Sequence, residues 1–127
     1  MKFLVNHLYI LLTVFFAVSS QLIIKWQMKN YSFEGFDNIF EKFHFAFGLL
    51  LNPYILVSIL FTLLSGLSWI IAMSKFDISY AYPFTALGFV FILFFSNVLF
   101  NESISIYKYI GVTCIVIGVF IISRDIK

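Results

Sequence analysis

Gln21 and Lys25 stand four residues apart near the end of a charge-free apolar stretch. On a helix that spacing puts them one above the other on a single face. A primary amide beside an ammonium can receive a phosphate or a sugar hydroxyl. The plainer alternative gives Gln21 an interhelical hydrogen bond and lets Lys25 snorkel toward a polar boundary. His7, further up the same stretch, reads either as a polar tip at that boundary or as a proton relay.

A second group lies in the segment Ser79-Tyr80-Ala81-Tyr82-Pro83-Phe84-Thr85-Ala86-Leu87-Gly88. Pro83 has no N–H, so the carbonyl of Ser79 loses its helical partner. In an apolar medium such a group must be satisfied by protein or water. The kink, the hydroxyls of Tyr80 and Tyr82, and Thr85 together suggest a cavity wall. Kinking that serves helix packing alone is the competing account. Trp69, just ahead of Lys75, fits an aromatic belt position and is also a candidate substrate contact. Ser58, Thr62 and Ser65 follow a small-residue spacing suited to close helix contact, which is packing rather than chemistry.

What the chain lacks narrows the chemistry further. No Asp or Glu lies in the middle of an apolar run; Asp77 and Glu102 flank the third one. A proton-coupled exporter of cations needs a buried carboxylate, and none is present. No nucleophile–base pair, Gly-rich phosphate loop or metal-spaced ligand set is visible, so neither an enzyme nor a cofactor is expected. One cysteine, Cys114, excludes a disulfide framework and a Cys-rich metal site, and its apolar surroundings predict an inert core thiol.

The elements that must position these residues follow from composition and charge. Of 127 residues, 62% are hydrophobic, 21% aromatic and only 11% charged. The mean hydropathy is +1.03. Soluble domains carry about 25% charged residues, so this chain cannot cover a water-facing surface. The net charge of +2 is too small and scattered for nucleic acid binding. At roughly 20 residues per span, four or five membrane helices use up the whole length.

Charges mark where the spans end. The pattern predicts an all-α integral membrane protein, a single four-helix domain over 1–127, with helices over about 3–25, 53–74, 79–100 and 104–123 and both termini on one side. Asn52-Pro53 suits the start of the second helix, Asn at the cap and Pro at the first helical position. The link Asn101-Glu102-Ser103-Ile104-Ser105 is so short that the last two spans must form an antiparallel hairpin. Lys108 lies near an end and can snorkel. Ala17-Val18-Ser19-Ser20 loosely resembles a signal cleavage site, but the first run exceeds a signal core, and a retained span is expected.

Between the first two spans, Phe33, Phe36, Phe40, Phe43 and Phe47 recur at helical spacing. They predict an amphipathic helix over about 33–48, either lying at the membrane interface or packed against the bundle. Orientation is undecided. Lys2, Lys75, Arg124 and Lys127 fall on the terminal side, and Lys25, Lys29, Lys42 and Lys108 on the other.

Three stretches carry a resemblance to a known family. Ser19-Ser20-Gln21-Leu22 with Lys25, Tyr80-Ala81-Tyr82-Pro83, and the hairpin Asn101-Glu102-Ser103-Ile104-Ser105 resemble the drug/metabolite transporter superfamily (EamA and small multidrug resistance-like) in its four-helix form. The likeness is strongest to the subunits of the aminoarabinose-phosphoundecaprenol flippase. In the small multidrug exporters a first-helix glutamate binds substrate and proton; the matching position here is Ala17. The resemblance therefore implies a flippase-type subunit that moves a polyprenyl-phosphate sugar or similar anionic lipid. It would work as a homodimer or as a heterodimer with a related small membrane protein, in the bacterial cytoplasmic (inner) membrane. Gln21, Lys25, Trp69, Tyr80, Tyr82, Pro83, Thr85 and Glu102 are the substrate-binding candidates. Two other functions stay open: a multidrug or metabolite exporter holding an organic cation on aromatic faces, and a non-transporting partner of a glycosyltransferase that uses the same lipid.

Overall fold

The computed structural model describes residues 1–125; Lys127, counted above among the terminal charges, lies outside them. Among the described residues every regular element is helical. The order is α1 (Lys2–Gln27), α2 (Ile39–Gly48), α3 (Pro53–Met73), α4 (Ile78–Thr85), α5 (Gly88–Phe100) and α6 (Ile106–Ser123). Four stretches are long and apolar enough to cross a membrane: α1, α3, α4 with α5, and α6. α1 alone, at 26 residues, reaches about 39 Å.

Local chemistry explains the boundaries. Asn52 caps α3 by accepting from the Tyr54 N–H at 2.8 Å, with Pro53 behind it in the first turn. The Asn52 amide also donates to Gln27 Oε1 at 3.2 Å and to the Tyr31 hydroxyl at 2.8 Å. One side chain thus ties the end of α1 to the start of α3. Ser105 caps α6 by accepting from the Lys108 N–H at 3.3 Å, and Asn101 ends α5 in a left-handed conformation with φ of 55°. The hairpin between them is held by Asn97 Nδ2 donating to the Glu102 carbonyl at 2.9 Å.

α1 and α3 form the heart of the bundle. In a membrane, close helix pairs rely on small residues and short polar contacts. Ser65 Oγ donates to the Thr13 carbonyl at 2.9 Å, and Ser20 Oγ lies 2.7 Å from Thr62 Oγ1. Thr62 spends its own proton on the Ser58 carbonyl at 3.0 Å, so Ser20 is the donor across the interface. Ile10, Ala72 and Ala81 are the buried apolar centre, with Trp69, Phe76 and Phe84 packed around them. α6 packs chiefly against α4, and most of its surface faces outward.

Three expectations are corrected. The span over 79–100 is interrupted as well as kinked, with α4 ending at Thr85 and α5 starting at Gly88. Thr85 Oγ1 donates to the Tyr82 carbonyl at 2.6 Å, while the Ala86 N–H turns to the Pro83 carbonyl at 3.0 Å. The Ala86 N–H bond to a carbonyl three residues back marks where the α-helical ladder breaks, whereas the N–H that Pro83 lacks leaves its gap at Ser79, inside α4. The helix expected over 33–48 covers only its second part. Gly35 adopts φ of 94°, open to glycine but strained for other residues, and Asn38 caps α2 by accepting from the Phe40 N–H at 2.9 Å. Phe33 and Phe36 sit in the preceding turn against Phe45, with ring centroids 5.1 and 5.3 Å away. Cys114, expected in the core, is exposed on α6, because the bundle covers so little of that helix.

Candidate functional site

α1, α3 and the α4–α5 break line an open cavity of about 480 Å³. Its wall brings together Gln21 from α1, Trp69 from α3, and Tyr82 and Thr85 from α4. The Trp69 and Tyr82 rings meet edge to face, with centroids 5.9 Å apart. Thr13, Thr62 and Ser65 add hydroxyls to the same wall. Their spacing reads as packing in the sequence, and they do pack, but the helix faces they join also border the cavity. Ala17 lines it as well, and among the described residues no carboxylate or ammonium stands in this wall. The site is neutral and offers amide, hydroxyl and aromatic contacts in a medium that strengthens them.

Each remaining candidate has its own place. Pro83 lies in the segment between Tyr82 and Thr85 and shapes it. Tyr80 faces a different cavity of about 400 Å³ at the terminal end, with Asn6, His7, Lys75, Asp77, Ser79 and Asp125. The split was visible in principle: residues two apart on a helix point about 200° from each other, so Tyr80 and Tyr82 cannot share a face. The same cavity brings the start of α1, the α3–α4 turn and the end of α6 to one end of the bundle.

At that end the His7 Nδ1–H donates to the Phe3 carbonyl at 2.7 Å. In the neutral ring Nε2 then carries a lone pair, and the Tyr80 hydroxyl donates to it at 2.9 Å. Phe76 and Phe84 pack edge-on around the imidazole. This link between α1 and α4 is absent from the sequence pattern, because 73 residues separate its partners.

Lys25 and Glu102 lie at the opposite end. Lys25 Nζ is 3.7 Å from Glu102 Oε1. Their side chains are 59% and 41% exposed, so the pair adds about 0–1 kcal/mol to stability. Gln21 and Lys25 therefore share a helix face but not one chamber: the amide borders the cavity, and the ammonium is held one turn beyond it. Among the described residues no group of three His, Cys, Asp or Glu is arranged to hold a metal ion.

Four apolar spans with an uncharged cavity between three of them define a multi-pass membrane protein of the transporter type. The EamA-like transporter family matches residues 39–124, and the chain belongs to that family. Its relatives include the probable 4-amino-4-deoxy-L-arabinose-phosphoundecaprenol flippase subunit ArnF of Serratia proteamaculans, 27% identical over 91% of this chain and 89% of the relative. The probable subunit ArnE of the same flippase from Aeromonas hydrophila is 29% identical over 83% of this chain and 81% of the relative. The ArnE of Pseudomonas syringae is 30% identical over a shorter stretch, 46% of this chain and 55% of the relative. No solved structure matches the chain.

Proposed function

We propose that this protein is a subunit of a lipid flippase that moves a polyprenyl-phosphate-linked sugar, or a similar anionic lipid, across the bacterial cytoplasmic membrane. The observation that carries this reading is the uncharged cavity between α1, α3 and α4, which Ala17 lines; by the resemblance, Ala17 stands where the small multidrug exporters carry a carboxylate. The few amide and hydroxyl groups on this uncharged, largely apolar wall suit sugar hydroxyls, and the wall repels no phosphate. Gln21, Tyr82 and Thr85 would contact the headgroup, Trp69 would stack on its apolar face, and Lys25 would leave Glu102 to meet the phosphate at the cavity mouth. The names of the relatives, which are flippase subunits, point the same way.

Four spans bury little of their own surface: only 6% of the α6 window is enclosed. A second small membrane subunit, of the same or a related kind, would cover the rest. α2 would lie along the membrane interface, with Phe40, Phe43 and Phe47 outward at 77%, 68% and 74% exposure and set into the acyl boundary.

The test is transbilayer movement in liposomes. Vesicles holding this protein and its partner subunit are loaded with a labelled polyprenyl-phosphate sugar, and exposure of the label on the far leaflet is followed. Protein-dependent exposure is expected; none with both subunits present overturns the proposal. A second reading, export of an organic cation, has the Trp69–Tyr82 edge in its favour. Substrate-driven proton flux in the same vesicles would favour it.

A further inference from the structure

A second cavity lies across the α1–α5 contact from the first. It measures about 470 Å³ and is walled by Leu11, Phe15, Phe84, Leu87, Phe91 and Phe95. Its floor includes Ile10, which is 1% exposed, so the groove reaches the centre of the bundle. The polar and apolar cavities share Val14 and Val18 as a common wall.

The partition between them is thin and has one closing point. A Cβ placed on Gly88 would lie 3.4 Å from Val18 Cγ2 and 3.7 Å from Val14 Cγ1, so α5 meets α1 here without a side chain. The broken segment serves both compartments in turn. Phe84 and Leu87 line the apolar groove, while Thr85 and Gly88 line the polar cavity. The break in the helix thus lies in the wall between two cavities of nearly equal size, one carrying amide and hydroxyl groups on a largely apolar lining and the other almost without polar groups.

We propose that the apolar groove is the seat of the hydrocarbon tail of the same lipid whose headgroup enters the polar cavity, with the Gly88 seam as the partition the molecule straddles. This rests on the flippase reading and extends it from headgroup to tail. Leu60 on α3 and Ile117 on α6 are exposed on the outer helix surfaces, which any bulk acyl chain can cover. The groove differs in reaching buried Ile10 and in adjoining the polar cavity through one shared wall.

The experiment uses the full chain with its partner subunit in nanodiscs and two probes with photoreactive tails, a polyprenyl phosphate and a phosphatidylethanolamine. Cross-linked residues are mapped by mass spectrometry. The polyprenyl probe is expected to label Leu11–Phe15 and Phe91–Phe95 about fivefold more than the phospholipid at equal mole fraction, and excess unlabelled polyprenyl phosphate should suppress it. Ser19 also lines the groove; Leu87→Trp and, independently, Ser19→Leu fill it and should cut that labelling about fivefold. In both variants a short-tailed phosphate-sugar analogue should bind as in the wild type, which also reports correct folding.

Equal labelling by the two probes, or labelling that ignores both substitutions, overturns the tail groove while leaving the flippase reading intact. Groove labelling that persists while the short analogue fails to bind the wild type overturns the headgroup reading and leaves the groove.

Discussion

Lys25 and Glu102 meet at 3.7 Å and join the last turn of α1 to the hairpin between α5 and α6. The pair closes one end of the bundle, one turn past Gln21 and the polar cavity. Lys29 adds a second link there, its ammonium 4.7 Å from the centroid of the Phe100 ring. A cation held by a partly exposed carboxylate is available for exchange, because a phosphate is a competing acceptor of similar strength.

Removing the competitor and removing the cation should therefore act in opposite directions. Glu102→Gln is expected to raise affinity for polyprenyl phosphate about threefold, and Lys25→Ala to lower it about tenfold. Both should change stability by less than about 1 kcal/mol, since the pair is exposed. Native mass spectrometry titrations with the lipid read the affinities. Unchanged binding in Lys25→Ala would make Lys25 a snorkelling side chain and nothing more.

Thr85 carries a bond at the break in the third span. Its hydroxyl satisfies the Tyr82 carbonyl at 2.6 Å, a group that α4 leaves without its usual partner. Thr85→Val keeps the shape and removes the donor, and should cost about 0.5–1.5 kcal/mol in reversible unfolding from mild detergent. Thr85→Ser keeps the donor and should stay close to wild type. Equal losses in the two variants would show that shape, not the hydroxyl, holds the turn.

The four spans were legible because charge is too costly inside hydrocarbon, so Lys2, Lys25, Lys75, Asp77, Glu102 and Arg124 bracket them in the sequence. Caps at Asn52 and the tight hairpin after Asn101 were legible for a similar reason: their chemistry is local. The break at Ala86–Leu87 was harder, because the bond lost at Pro83 falls at Ser79, inside α4, and the interruption comes three residues after Pro83. Phe33 and Phe36 keep helical spacing with Phe40 yet sit in a turn, since Gly35 and Asn38 stop the helix between them. The pairs His7–Tyr80 and Lys25–Glu102 depend on how α1 docks against distant segments, and no periodicity within one helix encodes that.

α2 offers a separate test of where the bundle meets its surroundings. Phe40, Phe43 and Phe47 are all outward on one side of a ten-residue helix. A spin label at Phe43→Cys, in a Cys114→Ala background, should be reached by oxygen dissolved in the bilayer and shielded from a water-soluble nickel chelate. Its depth should fall in the outer ~5–10 Å of the acyl region. Strong collision with the chelate would place this face in water instead.

At the other end of α1, the imidazole of His7 has both nitrogens committed, Nδ1 to the Phe3 carbonyl and Nε2 to Tyr80. Tyr80→Phe leaves the Nε2 lone pair without its donor inside an aromatic surround of Phe3, Phe76 and Phe84. A lost bond of this kind should cost about 1 kcal/mol. It should also move the Nε2 resonance in nitrogen-15 spectra of labelled protein, because a hydrogen-bonded and a bare imidazole nitrogen differ in shielding. His7→Gln should preserve most of the stability only if its longer amide still reaches the Tyr80 hydroxyl. The two variants therefore separate a link that joins α1 to α4 from a ring that merely fills space: if the link is real, Tyr80→Phe weakens the bundle although it removes only an oxygen, and if the ring is filler, it leaves both stability and the nitrogen resonance where they were.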